Sequence, residues 1–109
     1  MAAINRTAII YKQDEFHPYT AMLIYDDRAA LTMQYADSRD MISDILEHIV
    51  TKTPCVMYGK PYNGEVHGLV AVISKDNGGV SVKFNTTENI ADIADIFRNI
   101  RLMDLLNWW

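Results

Sequence analysis

The chain has few of the features that mark exported, membrane-bound or catalytic proteins. Only one of its 109 residues is cysteine, so Cys55 cannot form an internal disulfide. No apolar run approaches the roughly 20 residues that span a bilayer. The first residues, 1–6, lack the basic-then-apolar order of a signal peptide. We therefore expect a cytoplasmic protein without membrane contacts, in which Cys55 is buried.

Motifs of the common enzyme classes are also missing. The sequence has no glycine-rich phosphate loop, no paired-cysteine or His-Glu-x-x-His metal spacing, and no nucleophile elbow. No cofactor and no metal are predicted, and catalysis is the less favoured class of function.

Charge argues against nucleic acid as the partner. Ten basic and fourteen acidic side chains give a net charge of −4, and the basic residues form no run. A negatively charged protein repels phosphate backbones over long distances. Half of the residues are apolar and 22% are charged, which at this length indicates one domain covering residues 1–109.

The sequence does contain an internal repeat, over about 4–51 and 54–109. Each copy has three short apolar segments followed by an amphipathic helix. The helix starts match in residues 35–40 and 84–88, where an aromatic residue precedes an Asp or Asn cap and an acid lies three places on. The apolar stripes of the two helices also correspond, position by position. In the alignment of the two copies, the first set matches the second: Ile42, Ile45, Leu46 and Ile49, with Ile90, Ile93, Ala94 and Phe97.

This pattern predicts an α+β fold of two βββα units, with a mainly antiparallel sheet and both helices packed on one face. β-branched and aromatic residues between turn-forming residues indicate the strands. The predicted strands are residues 7–11, 19–25, 29–35, 55–58, 69–73 and 80–84, and the predicted helices run from 38 to about 50 and from 86 or 87 to at least 100. We treat residues 59–65 as a bend because they contain Pro61 and Asn63-Gly64.

The middle strand of each copy is apolar on both faces, at residues 21–24 and 69–73. Two helices cover only one face of a six-stranded sheet. The other face must be covered by strongly curled strands, by the C-terminal segment or by a second subunit. For this reason we expect a homodimer or a complex with another protein.

Two histidines are the candidates for chemistry. His17 and His67 each precede the middle strand of a copy, and a pseudo-twofold axis would bring them together as acid and base or as metal ligands. Two-histidine phosphoesterases carry His-x-Thr or His-x-Ser in both copies. Here the triplets are His17-Pro18-Tyr19 and His67-Gly68-Leu69, and neither has Ser or Thr at its third position. Histidines without a chemical role are the simpler interpretation.

Aromatic residues are the candidates for binding. Two tryptophans close the sequence, and such residues either seal the open sheet face or anchor a partner. Other aromatic residues lie in or beside loops, and we expect them to be exposed. The predicted binding residues are Phe16, Tyr19, Tyr62, Trp108 and Trp109.

The leading hypothesis is a small protein-binding or inhibitor module that acts by contact and not by catalysis. Its size and mild acidity are typical of toxin-immunity proteins and of phage-encoded counter-defence proteins. The alternative is a small-ligand-binding or phosphoester-processing domain, with His17 and His67 at the pseudo-twofold axis or at a dimer seam.

Overall fold

The structure is a computed structural model that describes residues 6–13, 16–25, 31–51, 57–76, 79–85 and 90–102. None of the helices in these ranges is long and apolar enough to cross a bilayer. The elements are strands β1 (Arg6–Lys12), β2 (Tyr19–Tyr25), β3 (Leu31–Tyr35), β4 (Lys60–Pro61), β5 (Leu69–Asp76) and β6 (Gly79–Phe84), and helices α1 (Ser38–Ile45), continued by a π-helical segment (Leu46–Thr51), and α2 (Ile90–Leu102).

The strands form one antiparallel sheet in the order β4-β3-β2-β1-β5-β6. The predicted α+β fold is confirmed, and the strand order fits two βββα units loosely. β1 lies inside the sheet, and the hairpins β2–β3 and β5–β6 extend from it in opposite directions. The second copy therefore does not repeat the strand pairing of the first.

The first strand of the second copy differs from the prediction. Cys55, with its predicted burial, lies outside the described residues, and Met57 and Tyr58 are not in a strand. Pairing occurs instead at Lys60 and Pro61, inside the predicted bend, where β4 joins the outer edge of β3. This strand is two residues long. Proline lacks a backbone N–H and is tolerated there because β4 is an edge strand.

Alternation along β1 separates the two faces of the sheet. Ala8 and Ile10 are fully buried beneath the helices, whereas Ile9 between them is only partly buried on the other face. Ile9 pairs with Met22 on β2 and Val72 on β5, so an apolar row crosses this second face. No helix among the described residues packs on it.

Helix α1 begins as predicted. Asp37 is the N-cap, and its side-chain oxygen accepts a hydrogen bond of 2.9 Å from the backbone N–H of Asp40. This bond satisfies an amide that has no partner within the helix. Met41, Ile42 and Ile45 are fully buried against the sheet. The predicted helical length is confirmed, with the last turns in π geometry.

The predicted apolar stripe of the second helix is wrong in phase. Ile90, Ala94 and Phe97 are exposed, and only Ile93 packs against the core. The fully buried residues of α2 are Ile96 and Ile100. The predicted start at 86 or 87 lies outside the described residues. Asn85, the predicted cap, bonds to β5 through its backbone N–H and its side-chain amide.

A pair of substitutions on α2 tests this phase. Ile96→Asp should lower the free energy of unfolding by several kcal/mol, because it places an unpaired carboxylate in the core. Leu102→Asp, at a side chain that is 72% exposed, should change it by no more than about 0.5 kcal/mol. Urea unfolding monitored by circular dichroism measures both, and equal losses would contradict the observed phase.

Candidate functional site

Both candidate histidines lie at one end of the sheet, where β1 ends and β2 and β5 begin. The backbone N–H of Gln13 donates to Pro18 O at 3.1 Å, next to His17. The side-chain oxygen of Gln13 accepts from the backbone N–H of His67 at 3.3 Å. Lys12 N–H donates to Gly68 O at 2.8 Å. Gln13 thus lies between the segments that carry the two histidines.

Gln13 also fixes Tyr62. Its side-chain N–H donates to the Tyr62 hydroxyl at 3.1 Å and to Glu65 O at 2.9 Å. The Tyr62 hydroxyl in turn donates to Glu65 O at 2.7 Å. One side-chain amide therefore ties the end of β1 to the loop that precedes β5.

Residues 62–68, which we call the crossing connection, join β4 at one edge of the sheet to β5 beyond β1. Gly68 has φ +73°, and an added Cβ would lie 2.7 Å from Lys12 O, so a side chain would be strained there. Thr20 is fully buried although it lies on the face away from the helices. The crossing connection reaches this end of the sheet, where Gln13 bonds to Tyr62.

Asp44 anchors the chain just before β4. Its buried carboxylate accepts a bond of 2.9 Å from the Tyr35 hydroxyl and bonds near 3.0 Å from the backbone N–H groups of Tyr58 and Gly59. A Cβ on Gly59 would lie 2.7 Å from the Tyr35 ring. Burial, and then Asp44, raise the pKa of the Tyr35 hydroxyl, so this residue stays a donor.

A polar network lies on the helix side of the same end of the sheet. Tyr19 donates to Asp95 Oδ2 at 3.0 Å, and Lys12 forms an ion pair of 3.1 Å with Asp92. The Lys12 ammonium also lies 5.0 Å from the centre of the Tyr19 ring. Ser38 donates to Asp95 Oδ2 at 2.7 Å, which joins α1 to α2.

Burial and hydrogen bonding together set the protonation states of Tyr19 and Asp95. Burial raises the pKa of Tyr19, and the neighbouring Asp95 raises it further. Burial also opposes ionisation of Asp95, but bonds from Ser38, Tyr19 and Arg98 outweigh it and lower the pKa of that carboxyl. At neutral pH Tyr19 is thus neutral and Asp95 charged. Neither group changes protonation there, and their hydrogen bonds join β2 and α1 to α2.

The predicted binding residues fall into three groups. Phe16 is 77% exposed, and Tyr62 is half-buried at the same end of the sheet. Tyr19 is buried, so its predicted exposure is wrong, because its hydroxyl bonds to Asp95 beneath the helices. Trp108 and Trp109 lie outside the described residues.

We define the strand-end surface as the exposed or half-buried side chains at this end of the sheet: Phe16, His17, Tyr62, His67 and Leu69. Sequence reasoning missed Gln13 and Asp44, which organise it, because their partners are about 50 and 14 residues away. It also missed Tyr58, which is 59% exposed beside β4, the edge strand. No local pattern distinguishes these residues.

A further concave region lies on α2. A surface cavity of about 390 Å³ is lined by Ala94, Phe97, Arg98, Arg101 and Leu102 of α2. It lies away from the strand-end surface. Within the described ranges, no three His, Cys, Asp or Glu residues converge in a way that could hold a metal ion.

Comparison with known proteins gives no match. No family model fits the sequence, and no curated protein or solved structure is significantly similar to the chain.

The lowered pKa of Asp95 predicts a loss of stability in acid. The stability that this carboxylate contributes is present above its unfolded pKa of about 3.9 and is lost as pH falls through the lower folded value. Asp95→Asn should lower the melting temperature at pH 7. Its melting temperature should also fall less steeply than that of the parent as the pH drops below about 4. Glu65→Gln removes an exposed carboxylate with the same charge and is the control. Thermal melts across pH measure both, and an unchanged acid decline in Asp95→Asn would contradict the assignment.

Proposed function

We propose that the chain is a small cytoplasmic protein-binding or inhibitor module that acts by contact through the strand-end surface. The observation that carries the proposal is the 77% exposure of Phe16 on a loop next to a fixed scaffold. Aromatic residues dominate the energetics of protein interfaces, and an ordered surface loses little entropy on binding.

The scaffold supports this proposal. Gln13 bonds to the Phe16 loop through Pro18 O and to the crossing connection through Tyr62 and His67. Leu69, 39% exposed, adds apolar area beside the histidines. The surface therefore combines apolar centres with polar groups, as interface patches do.

Phe16→Ala tests the proposal. The immobilised chain is used to capture proteins from an extract of the source cells. Each captured protein is purified separately, and its affinity for the parent and for the variant is measured by calorimetry. Phe16→Ala should weaken the complex at least about thirtyfold, since an anchoring aromatic residue contributes 2 kcal/mol or more.

Tyr58→Ala is the matched control, because Tyr58 is an exposed aromatic residue beside β4, at the edge of the sheet, and is not part of the strand-end surface. It should leave the affinity unchanged, and both variants should melt like the parent. The proposal fails if no purified candidate binds, or if Phe16→Ala binds as tightly as the parent.

A second candidate function is binding of a small anion by His17 and His67. The observation that favours it is their position on either side of Gln13. Inorganic phosphate is the probe, followed by nuclear magnetic resonance of the imidazole protons. Saturable shifts of both rings, lost in the His17→Ala, His67→Ala double variant but kept in Phe16→Ala, would replace the protein-binding proposal. Absence of saturable shifts would exclude phosphate as the ligand.

A further inference from the structure

The outer edge of β6 is unpaired among the described residues, because β6 bonds only to β5. The phase of that ladder is fixed by the bond of 2.7 Å from Asn85 N–H to Val70 O. In an antiparallel ladder, residues alternate between bonding to the partner strand and pointing their N–H and C=O groups away from it. Counting back from Asn85, the residues whose backbone groups point outward are Val80, Val82 and Phe84.

An exposed apolar stripe on α2 lies next to this edge. The Phe97 ring contacts the Phe84 ring edge to face, with centres 6.1 Å apart. Phe97 is nevertheless 41% exposed, and Ile90, two turns earlier on the same side, is 79% exposed. The opposite side of α2 faces α1 through Asn99 and Ser38. The exposed stripe, Ile90, Ala94 and Phe97, therefore points outward beyond β6.

We propose that these two features together form a contact between two copies of this chain. β6 pairs antiparallel with the partner's β6 around a twofold axis at Val82, so one sheet continues through the dimer. The inference does not rest on the proposed function, because it uses a different part of the molecule. The partner at this edge is a second copy, because in this register the outward backbone groups of β6 pair with the same groups of another β6.

Hydrogen bonding and charge select the register. An axis at Val82 pairs all the outward residues, with Val80 opposite the partner's Phe84 and Val82 opposite the partner's Val82. An axis at Ser81 would leave Phe84 without a partner residue in β6. An axis at Lys83 would place two lysines directly opposite each other, which is destabilising.

The Val82 register also defines the contacts on each face. Ser81 and Lys83 are exposed on the face away from the helices, and Lys83 comes opposite the partner's Ser81. On the other face, α2 packs against β5 and contacts Phe84 of β6. Strands about 4.8 Å apart place β5, which carries α2, about 14 Å from the partner's β5. The two exposed stripes then face each other across the twofold axis, above the paired β6 strands.

Substitutions at Ser81 test the register. Sedimentation equilibrium of the parent should give twice the chain mass of 12.4 kDa. Ser81→Glu should tighten the dimer and Ser81→Lys should weaken it, each by about three- to tenfold, because the new charge faces the partner's Lys83 twice per dimer. Combining Ser81→Lys with Lys83→Glu should restore tight association. High salt should reduce these differences.

Val82→Pro tests the pairing itself. The N–H of Val82 points away from β5, so proline removes an outward donor and leaves the β5–β6 ladder intact. This variant should remain folded and become monomeric. Phe16→Ala, which alters the strand-end surface, should remain dimeric.

Three outcomes would overturn the inference. One is a parent that stays monomeric at hundreds of micromolar. Another is a dimer in which Ser81→Glu and Ser81→Lys shift the affinity in the same direction or not at all. The third is a folded Val82→Pro variant that dimerises like the parent, which would assign the contact to another surface. If Val82→Pro does not fold, the Ser81 and Lys83 variants alone test the inference. Both positions are exposed, so these substitutions should leave the fold intact.

Discussion

The hydrogen bonds to the buried carboxylate of Asp44 are the interactions on which the rest of the architecture depends. It accepts bonds from Tyr35 at the end of β3 and from the backbone just before β4. An unpaired carboxylate in this position would be strongly destabilising, so the chain leaving the first helix is held next to β3. From that edge it can reach β5 only by crossing the sheet, and Gln13 fixes the far end of the crossing. The strand-end surface is a consequence of these two anchors.

The same constraint explains why the sequence repeat is not a structural symmetry. β2 and β5 both run antiparallel to β1 on its two sides, and both helices pack on one face. A rotation that exchanges the two hairpins would either reverse the strand directions or move one helix to the other face. His17 and His67 therefore share one end of the sheet because each precedes a neighbour of β1, and not because an axis relates them.

The parts of the fold that depend on neighbouring residues could be predicted, and those that depend on distant residues could not. Alternation predicted β3 and β6, and the Asp37 cap predicted the start of α1. The phase of α2 was ambiguous because its apolar residues form two overlapping stripes, and bonds from Ser38 to Asp95 and from Asn99 to Ser38 select one. For the site, exposure of Phe16 was predictable from its loop, but burial of Tyr19 was decided by acids on α2 more than 70 residues later.

The two proposed contacts use different regions of the molecule, and their combination has a geometric consequence. β5 begins at the strand-end surface, so β6, which returns along it, ends there. Antiparallel pairing of two β6 strands points these ends in opposite directions. The two strand-end surfaces of a dimer would then lie at opposite ends of the continuous sheet, too far apart for one small target to contact both. Dimerisation would thus set a stoichiometry of one target per chain, and affinity for a monomeric target would not gain from avidity.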